Sequence, residues 1–481
     1  MKSIYLIYPK KIGTIAPEIY GHFSEHIGGV FYDGLWVGKD STIPNINGFR
    51  KDLVEKFKAI NPPVLRWPGG CFAETYDWRD GIGKDRPVRR NWWTPNDNRL
   101  EDNSVGTHEF VELCELIGAK PYFAANMTAT TPLHIRNWMD YCLSPQGSTS
   151  LAKEREENGH PEPFDIPFWG VGNENWGGGG NMRPEYYADE YRRYATLMNN
   201  VSPEAQLFVC GSNADDYTWT QGVVEGVANS WTPSHGFAMH YYCGYAGEVT
   251  AFTEDEWDEQ LVKAQKMEEI ILRNWAIISG YNMQDKCKLV VDEWGCWHPD
   301  GSGPSKGYNL FEQQSTMRDG MVAALTLNIF NNHCDKVRMA NVAQLVNNLH
   351  CLFLAGGENC IVTPTYHVFD LFKGHQGAEC IQTVVTDNDT FNASLSVSAS
   401  VKDGKTLITI GNLSCREDAE FELAAAGMTL PASAKAKLLW NEDMHAHNSF
   451  EAPDTVGVTE YDIDLTKPVV IPRTGIMTIE F

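Results

Sequence analysis

The sequence predicts an α/β chain: a (β/α)8 TIM barrel with a C-terminal antiparallel β-sandwich of jelly-roll type. Three observations carry this reading. Over roughly the first three-quarters of the 481 residues, short apolar runs alternate with amphipathic stretches, the mark of parallel βαβ units. Polar and charged residues recur at the C-terminal ends of nearly all those runs, where barrel active sites are assembled. Past about residue 376 the texture changes to alternating strands joined by tight turns. A doubly wound open sheet would share the first observation, but it would concentrate its chemistry at one switch point.

In chain order, the first dozen residues alternate and precede the barrel, so they are expected to add a strand to the sandwich. Eight barrel strands are read at 19–26, 63–70, 120–126, 168–175, 206–213, 236–242, 288–294 and 337–346. Between them FRKDLVEKFKAI, THEFVELCELIG, PLHIRNWMDYC, RPEYYADEYRRYATLMNNV and EDEWDEQLVKAQKMEEIILRNWAIIS show apolar residues at helical spacing. MRDGMVAALTLNIFNNH is more uniformly apolar, as a helix packed on a barrel would be, and PTYHVFDLFKGH starts a further helix at Pro364. SLSVSASVKDGKTLITIGNL then reads as a hairpin turned at Asp403-Gly404, and four more alternating segments follow. The expected domains are a catalytic barrel over 14–375 and a sandwich built from 1–13 plus 376–481.

Composition narrows the function. A formal net charge of −24 repels nucleic acid and anionic membranes, so neither is an expected partner. No apolar run reaches about 18 residues, which speaks against a transmembrane helix, and the N-terminal apolar run is too short for a signal peptide. Twelve cysteines are scattered without CxxC pairs. Without an export signal they read as free thiols, and the cytoplasm is the expected location. The 15 Trp, 19 Tyr and 21 Phe offer flat apolar surface of the kind that stacks on sugar rings, although most such residues serve the core.

The chemistry sits in two segments. In VGNENWGGGG, Glu174 ends an apolar strand and precedes Gly177 to Gly180, so its carboxyl is placed at the barrel mouth with room for a ligand. No Lys-Ser/Thr follows the glycines, so this is not a phosphate loop. In KLVVDEWGCWH, a strand delivers Glu293 to the mouth, Asp292 points the other way by alternation, and Trp294 and Trp297 add ring surface. Either glutamate alone could merely cap a strand. As a pair they end strands four and seven, which face each other across a closed barrel. Two carboxyls about 5–5.5 Å apart on a common cavity are what retaining glycoside hydrolysis needs. Other strand ends add Glu25 in HFSEH, Arg66 in RWPGGC, His240 and Tyr242 in MHYY, and Gln344 in NVAQLV. Arg66 beside a carboxylate would keep it ionised. No HExxH or other close ligand spacing occurs, and this chemistry needs no metal or other cofactor.

These residues together resemble glycoside hydrolase family 51, whose members are mostly α-L-arabinofuranosidases. The resemblance rests on IAPEIYGHFSEHIGG, the stretch from IPNINGFRKDL to YDWRDGIG, THEFVELCELIG, WGVGNENWGGGG, MHYY, VVDEWGCW and NVAQLVN, in the family's order over residues 14–350. It implies a barrel plus sandwich, with Glu174 as acid/base and Glu293 as nucleophile. It further implies that Glu25 binds furanose hydroxyls, Asn173 binds the 2-hydroxyl, and Arg66 lies near the nucleophile. His240 and Tyr242 would frame the sugar subsite, Gln344 would lie near the ring-side hydroxyls, and Trp297 would contact substrate. Cys71 stands where other members can carry Asn; a contact through its backbone N–H would survive, a side-chain amide contact would not. The implied activity is that of a retaining, exo-acting α-L-arabinofuranosidase on arabinose-containing oligo- or polysaccharides, in a homo-oligomer that is often a hexamer. The alternatives are the same machinery on another glycan, as an endo-β-glucanase or β-xylosidase, a sugar-binding protein without catalysis, or a metal-dependent barrel hydrolase.

Overall fold

The protein is described from a computed structural model covering residues 1–97, 99–388 and 390–481. Among these residues, eight strands close into a barrel. They are β1 (Gly21–Phe23), β2 (Val64–Trp67), β3 (Lys120–Ala125), β4 (Phe168–Val171), β5 (Gln206–Asn213), β6 (Gly236–Tyr242), β7 (Lys288–Gly295) and β8 (Val337–Ala343). Register runs in parallel from strand to strand: Phe23 lies opposite Arg66, Arg66 opposite Tyr122, Tyr122 opposite Phe168, and Val171 opposite Val209. The strands are near-continuous apolar runs because a parallel sheet is covered on both faces.

Five strands are shorter than their apolar patterns, β3 by one residue, β8 by three, and β1, β2 and β4 by more. β2 ends at Trp67 because Pro68 has no N–H for the ladder. β4 ends at Val171, and Gly172 (φ 87°) and Glu174 (φ 45°) then leave the extended region. β1 shrinks to three residues behind a single helical turn, Pro17–Tyr20.

The expected helices form, and among the described residues three that the periodicity did not mark form as well: Thr94–Asp97, Ser150–Glu157 and, the longest, Tyr217–Ala228. Its two glycines and its β-branched residues are weak helix formers. Tertiary packing decides instead: a Cβ on Gly226 would lie 2.5 Å from the Ala188 Cβ, so the glycine lets this helix lie close against Pro184–Val201. Asp216 caps it by accepting from the Trp219 N–H.

Helix Met317–Asn332 is buried over Met317–Asn331. The reason is a sheet strand beside it: Asn331 Nδ2 donates to Ser398 Oγ at 3.0 Å, and Asn332 Nδ2 to the Val397 carbonyl at 2.9 Å. Thr316 and Asp319 form a capping box at its start.

The C-terminal sheet has nine strands among the described residues. The N-terminal strand Lys2–Thr14 joins it, antiparallel to Glu379–Val385 and parallel to Ala419–Ala426. Asp403 (φ 51°) and Gly404 (φ 80°) make the two-residue turn between Leu395–Lys402 and Lys405–Asn412. Ile4, Leu6, Ile408, Ile410, Phe421 and Ile479 belong to its core. A small hairpin, Phe353–Gly356 with Asn359–Val362, is an addition to the expected plan. By packing, the chain divides into two compact units: Met1–Tyr20 with Tyr242–Glu269 and Trp294–Phe481, and Gly21–Tyr241 with Ile270–Glu293. All twelve cysteines are free thiols. Among the described residues no helix is long and apolar enough to cross a membrane.

Candidate active site

Arg66, at the end of β2, is the hub of the site. Its Nη1 donates to Glu293 Oε1 at 2.8 Å and its Nη2 to Asn173 Oδ1 at 2.6 Å, while its Nε lies 3.2 Å from Asp292 Oδ2. One rigid guanidinium fork therefore ties the ends of β2, β4 and β7 together. The Phe23 ring lies beneath it, 4.5 Å from the guanidinium carbon. Asp292 does not turn away from the site as strand alternation suggests. It meets Arg66 and accepts from Tyr122 OH at 2.9 Å, because the fork is wide enough to reach two successive residues of β7. Burial pushes the Asp292 carboxyl up, and Arg66 works against that push.

Glu174 lies three residues beyond β4. His240 Nδ1, on β6, is 2.8 Å from Glu174 Oε1 and 3.5 Å from Glu293 Oε2. Burial alone would lower the His240 pKa; the charge on Glu293 and the bond to Glu174 outweigh it and hold it above the ordinary imidazole value. The Cys71 thiol is 3.7 Å from Glu174 Oε2. Burial, then the charges of Glu174, Glu25 and Glu293, push that thiol well up, so it stays protonated and donates to Glu174. One donor atom from each of Glu174, His240 and Glu293 falls within 4.8 Å of the others. Such a trio could also hold a cation, but Arg66 already brings positive charge to Glu293. A second trio, Cys296, His298 and Asp319, has Asp319 committed to His298 at 2.7 Å and to the helix cap at Thr316.

Glu25 closes the near side. It is 3% exposed, and its Oε1 accepts from the Phe72 N–H at 2.9 Å and from Trp93 Nε1 at 3.0 Å. Burial first, and the Glu293 charge second, lift its carboxyl to about 7. Asn173 has its Nδ2 buried without a hydrogen-bond partner among the described residues. The loop that carries Glu174 depends on glycine: a Cβ on Gly179 would sit 1.7 Å from the Asn173 carbonyl oxygen.

Seven of the residues singled out by sequence thus converge: Glu25, Arg66, Cys71, Asn173, Glu174, His240 and Glu293. Tyr242, Trp297 and Gln344 belong to the other compact unit. There Trp297, 36% exposed, meets Tyr242 edge to face at 5.0 Å, and Gln344 is buried directly after β8. Trp294 offers no ring surface to a ligand; it is buried among Phe330, His350 and Phe369. His22 and His26 are structural as well. His22 packs on Phe57, and burial lowers its pKa to about 3. His26 bonds Glu101 and Trp67. Sequence reasoning missed Trp93, Tyr122 and Glu74, the last of which accepts four N–H bonds beneath the Glu174 loop.

A closed barrel with two carboxyls whose oxygens lie within 4.8 Å of each other at the ends of β4 and β7 has the architecture of a glycoside hydrolase. Comparison with known proteins specifies the family. Residues 56–259 match the model of the α-L-arabinofuranosidase 1 domain, and residues 292–472 that of the α-L-arabinofuranosidase C-terminal domain. An intracellular exo-α-L-arabinofuranosidase of Bacteroides ovatus is 38% identical, over 97% of this chain and 93% of its own length. The crystal structure of a family 51 arabinofuranosidase from Xanthomonas axonopodis pv. citri superposes with a TM-score of 0.93 at 36% identity, covering both chains fully. The arabinose complex of the Thermotoga maritima α-L-arabinofuranosidase gives 0.88 at 29% identity, again over both whole chains. The chain belongs to glycoside hydrolase family 51, the α-L-arabinofuranosidases.

Proposed function

We propose that this chain is a retaining, exo-acting α-L-arabinofuranosidase that releases terminal arabinofuranose by double displacement, with Glu293 as nucleophile and Glu174 as acid/base. The observation that carries the assignment is the pair of carboxylates. Oxygens of Glu174 and Glu293 approach within 4.8 Å, close to the roughly 5–5.5 Å of retaining enzymes and short of the 6.5–9.5 Å that leaves room for an inverting water. Arg66 stabilises the ionised form of Glu293 and aims it. Glu174 donates a proton to the glycosidic oxygen while Glu293 attacks the anomeric carbon, forming a glycosyl-enzyme ester and expelling the aglycone. Glu174, now ionised, takes a proton from water, which attacks the same carbon and frees Glu293. Two displacements restore the configuration. His240 holds Glu174 on the nucleophile's side. The unpartnered Asn173 Nδ2 supports a contact with the 2-hydroxyl, and in the same reading Glu25 and the Cys71 backbone N–H bind other hydroxyls of the sugar.

The substrate follows the names of the relatives, and so does the exo action; the arabinose comes from an arabinose-containing oligo- or polysaccharide. A cytoplasmic location is supported by the Bacteroides relative, which is called intracellular. The homo-oligomer implied by the resemblance, and a catalytic domain over 14–375, are part of the same reading. An aryl-glycoside panel tests it. Wild type should cleave aryl α-L-arabinofuranoside well above aryl β-xyloside and glucan, and failure on the arabinofuranoside sinks the substrate assignment. Glu293→Ala should lose turnover by at least about 10⁴-fold. With Glu174→Ala, azide should restore turnover of good leaving groups and yield the α-azide, the retained product.

A further inference from the structure

We propose that Glu74 is a positioning residue for Glu174, holding the loop that carries it in the geometry that delivers a proton to the glycosidic oxygen. The proposal rests on the reading of Glu174 as acid/base. Glu74 sits on the short 3-10 helix Cys71–Thr75 that follows β2, and it is fully buried. Its Oε1 accepts from the Asn173 backbone N–H at 2.7 Å and from Asn175 Nδ2 at 2.9 Å. Its Oε2 accepts from the backbone N–H groups of Met127 and Thr128, both at 2.7 Å. Four donors fill the acceptor sites of one carboxylate.

What these bonds grip is specific. The residues immediately before and after Glu174 are both tied to the same Glu74 oxygen. Between them Glu174 holds φ at 45°, a left-handed conformation that a residue with a side chain adopts only when its surroundings over-determine it. The far end of the loop is held from the same cluster. Asn175 Nδ2 and Thr128 Oγ1 both donate to the Gly179 carbonyl at 2.6 Å, and the Gly179 N–H donates back to the Glu174 carbonyl at 3.0 Å. Glu293, in contrast, is held by Arg66. Arg66 also holds the Asn173 side chain and His240 lies against both carboxyls, but the four bonds of Glu74 go to the Glu174 loop and its neighbours Met127 and Thr128, so loss of Glu74 should impair proton donation more than nucleophilic attack.

Glu74→Gln keeps the shape but turns an NH₂ group toward two of the four N–H donors. The readout is kcat/KM, which reports events through glycosylation, on aryl α-L-arabinofuranosides of graded leaving-group acidity. For phenyl-type aglycones, which need the proton, a fall of about 10- to 100-fold is expected; for dinitrophenyl, which does not, the change should stay within about 3-fold. A residue that merely stabilised the fold would lower all substrates alike. Asn175→Ala, which removes one bond of the four and the bond to the Gly179 carbonyl, should steepen the leaving-group dependence in the same direction and serves if Glu74→Gln does not fold. Glu174→Ala is run alongside. If it shows no leaving-group dependence, the acid/base reading falls. If it does, and Glu74→Gln and Asn175→Ala lower every substrate equally or not at all, the positioning role is overturned.

Discussion

The Glu25→Gln protein is expected to be more stable than the parent at pH 8 and equally stable at pH 4. The Glu25 carboxyl titrates at about 7 in the folded protein because it is buried and faces the charge on Glu293, against an ordinary value of 4.5. Between those values the folded chain binds a proton that the unfolded chain does not. Unfolding releases it, so rising pH favours the unfolded state. The penalty is absent below about pH 4, grows up to about pH 7 and is then complete; a shift of roughly 2.5 units at about 1.36 kcal/mol each makes roughly 3 kcal/mol. Glutamine never carries the charge, and its carbonyl oxygen can still accept from the Phe72 N–H and Trp93 Nε1. Guanidinium unfolding of both proteins at the two pH values reads the difference. On the proposed reading of Glu25 as a partner of the sugar hydroxyls, the gain in stability should come with a loss in kcat/KM of about 10- to 100-fold, since an amide would replace a carboxyl there. A stability difference that is the same at pH 4 and pH 8 would refute the reasoning.

Arg66→Met leaves Asp292 and Glu293 buried without their countercharge; thermal or chemical unfolding should show a loss of about 3–5 kcal/mol, and a variant as stable as the parent would show that the carboxylates are not sustained by that charge. Gly179→Ala forces the Asn173–Gly179 loop to move, because the added carbon would overlap the Asn173 carbonyl oxygen; turnover should drop about 100-fold with little change in melting temperature, and unaltered kinetics would mean that the loop geometry does not matter.

Much of this was legible from one chain. Barrel strands reveal themselves as apolar runs, and strand ends as the polar residues that follow, so Glu25, Arg66, His240 and Glu293 could be placed by pattern. Glu174 was found as well, although its strand stops at Val171, because the polar NEN segment and the glycines announce the same loop. Pattern failed where a residue's role lies in distant partners. Glu74 bonds groups 53 and 99 positions away, and nothing in CFAET announces them. Asp292 was turned outward by strict alternation, which ignores the reach of an arginine fork from another strand. Trp294 looked like ligand surface from its neighbour in sequence, but its surroundings are set by Phe330 and Phe369. Helix Tyr217–Ala228 hid behind two glycines whose value appears only against Pro184 and Ala188.

The strand at the start of the chain has a consequence for how the protein is made. Lys2–Thr14 lies inside the C-terminal sheet, with Lys2 opposite Phe421. It leaves the ribosome before both of its partners, and its parallel partner follows 421 − 2 = 419 residues later. At roughly 5–20 residues per second that is a wait of about 20–80 s. For most of it, until Glu379–Val385 is made, Ile4 and Leu6 lack the sheet neighbours that bury them. The sheet cannot close until Ala419–Ala426 has been made, so anything that ties up Lys2–Thr14 in the meantime threatens the assembly of the whole sheet.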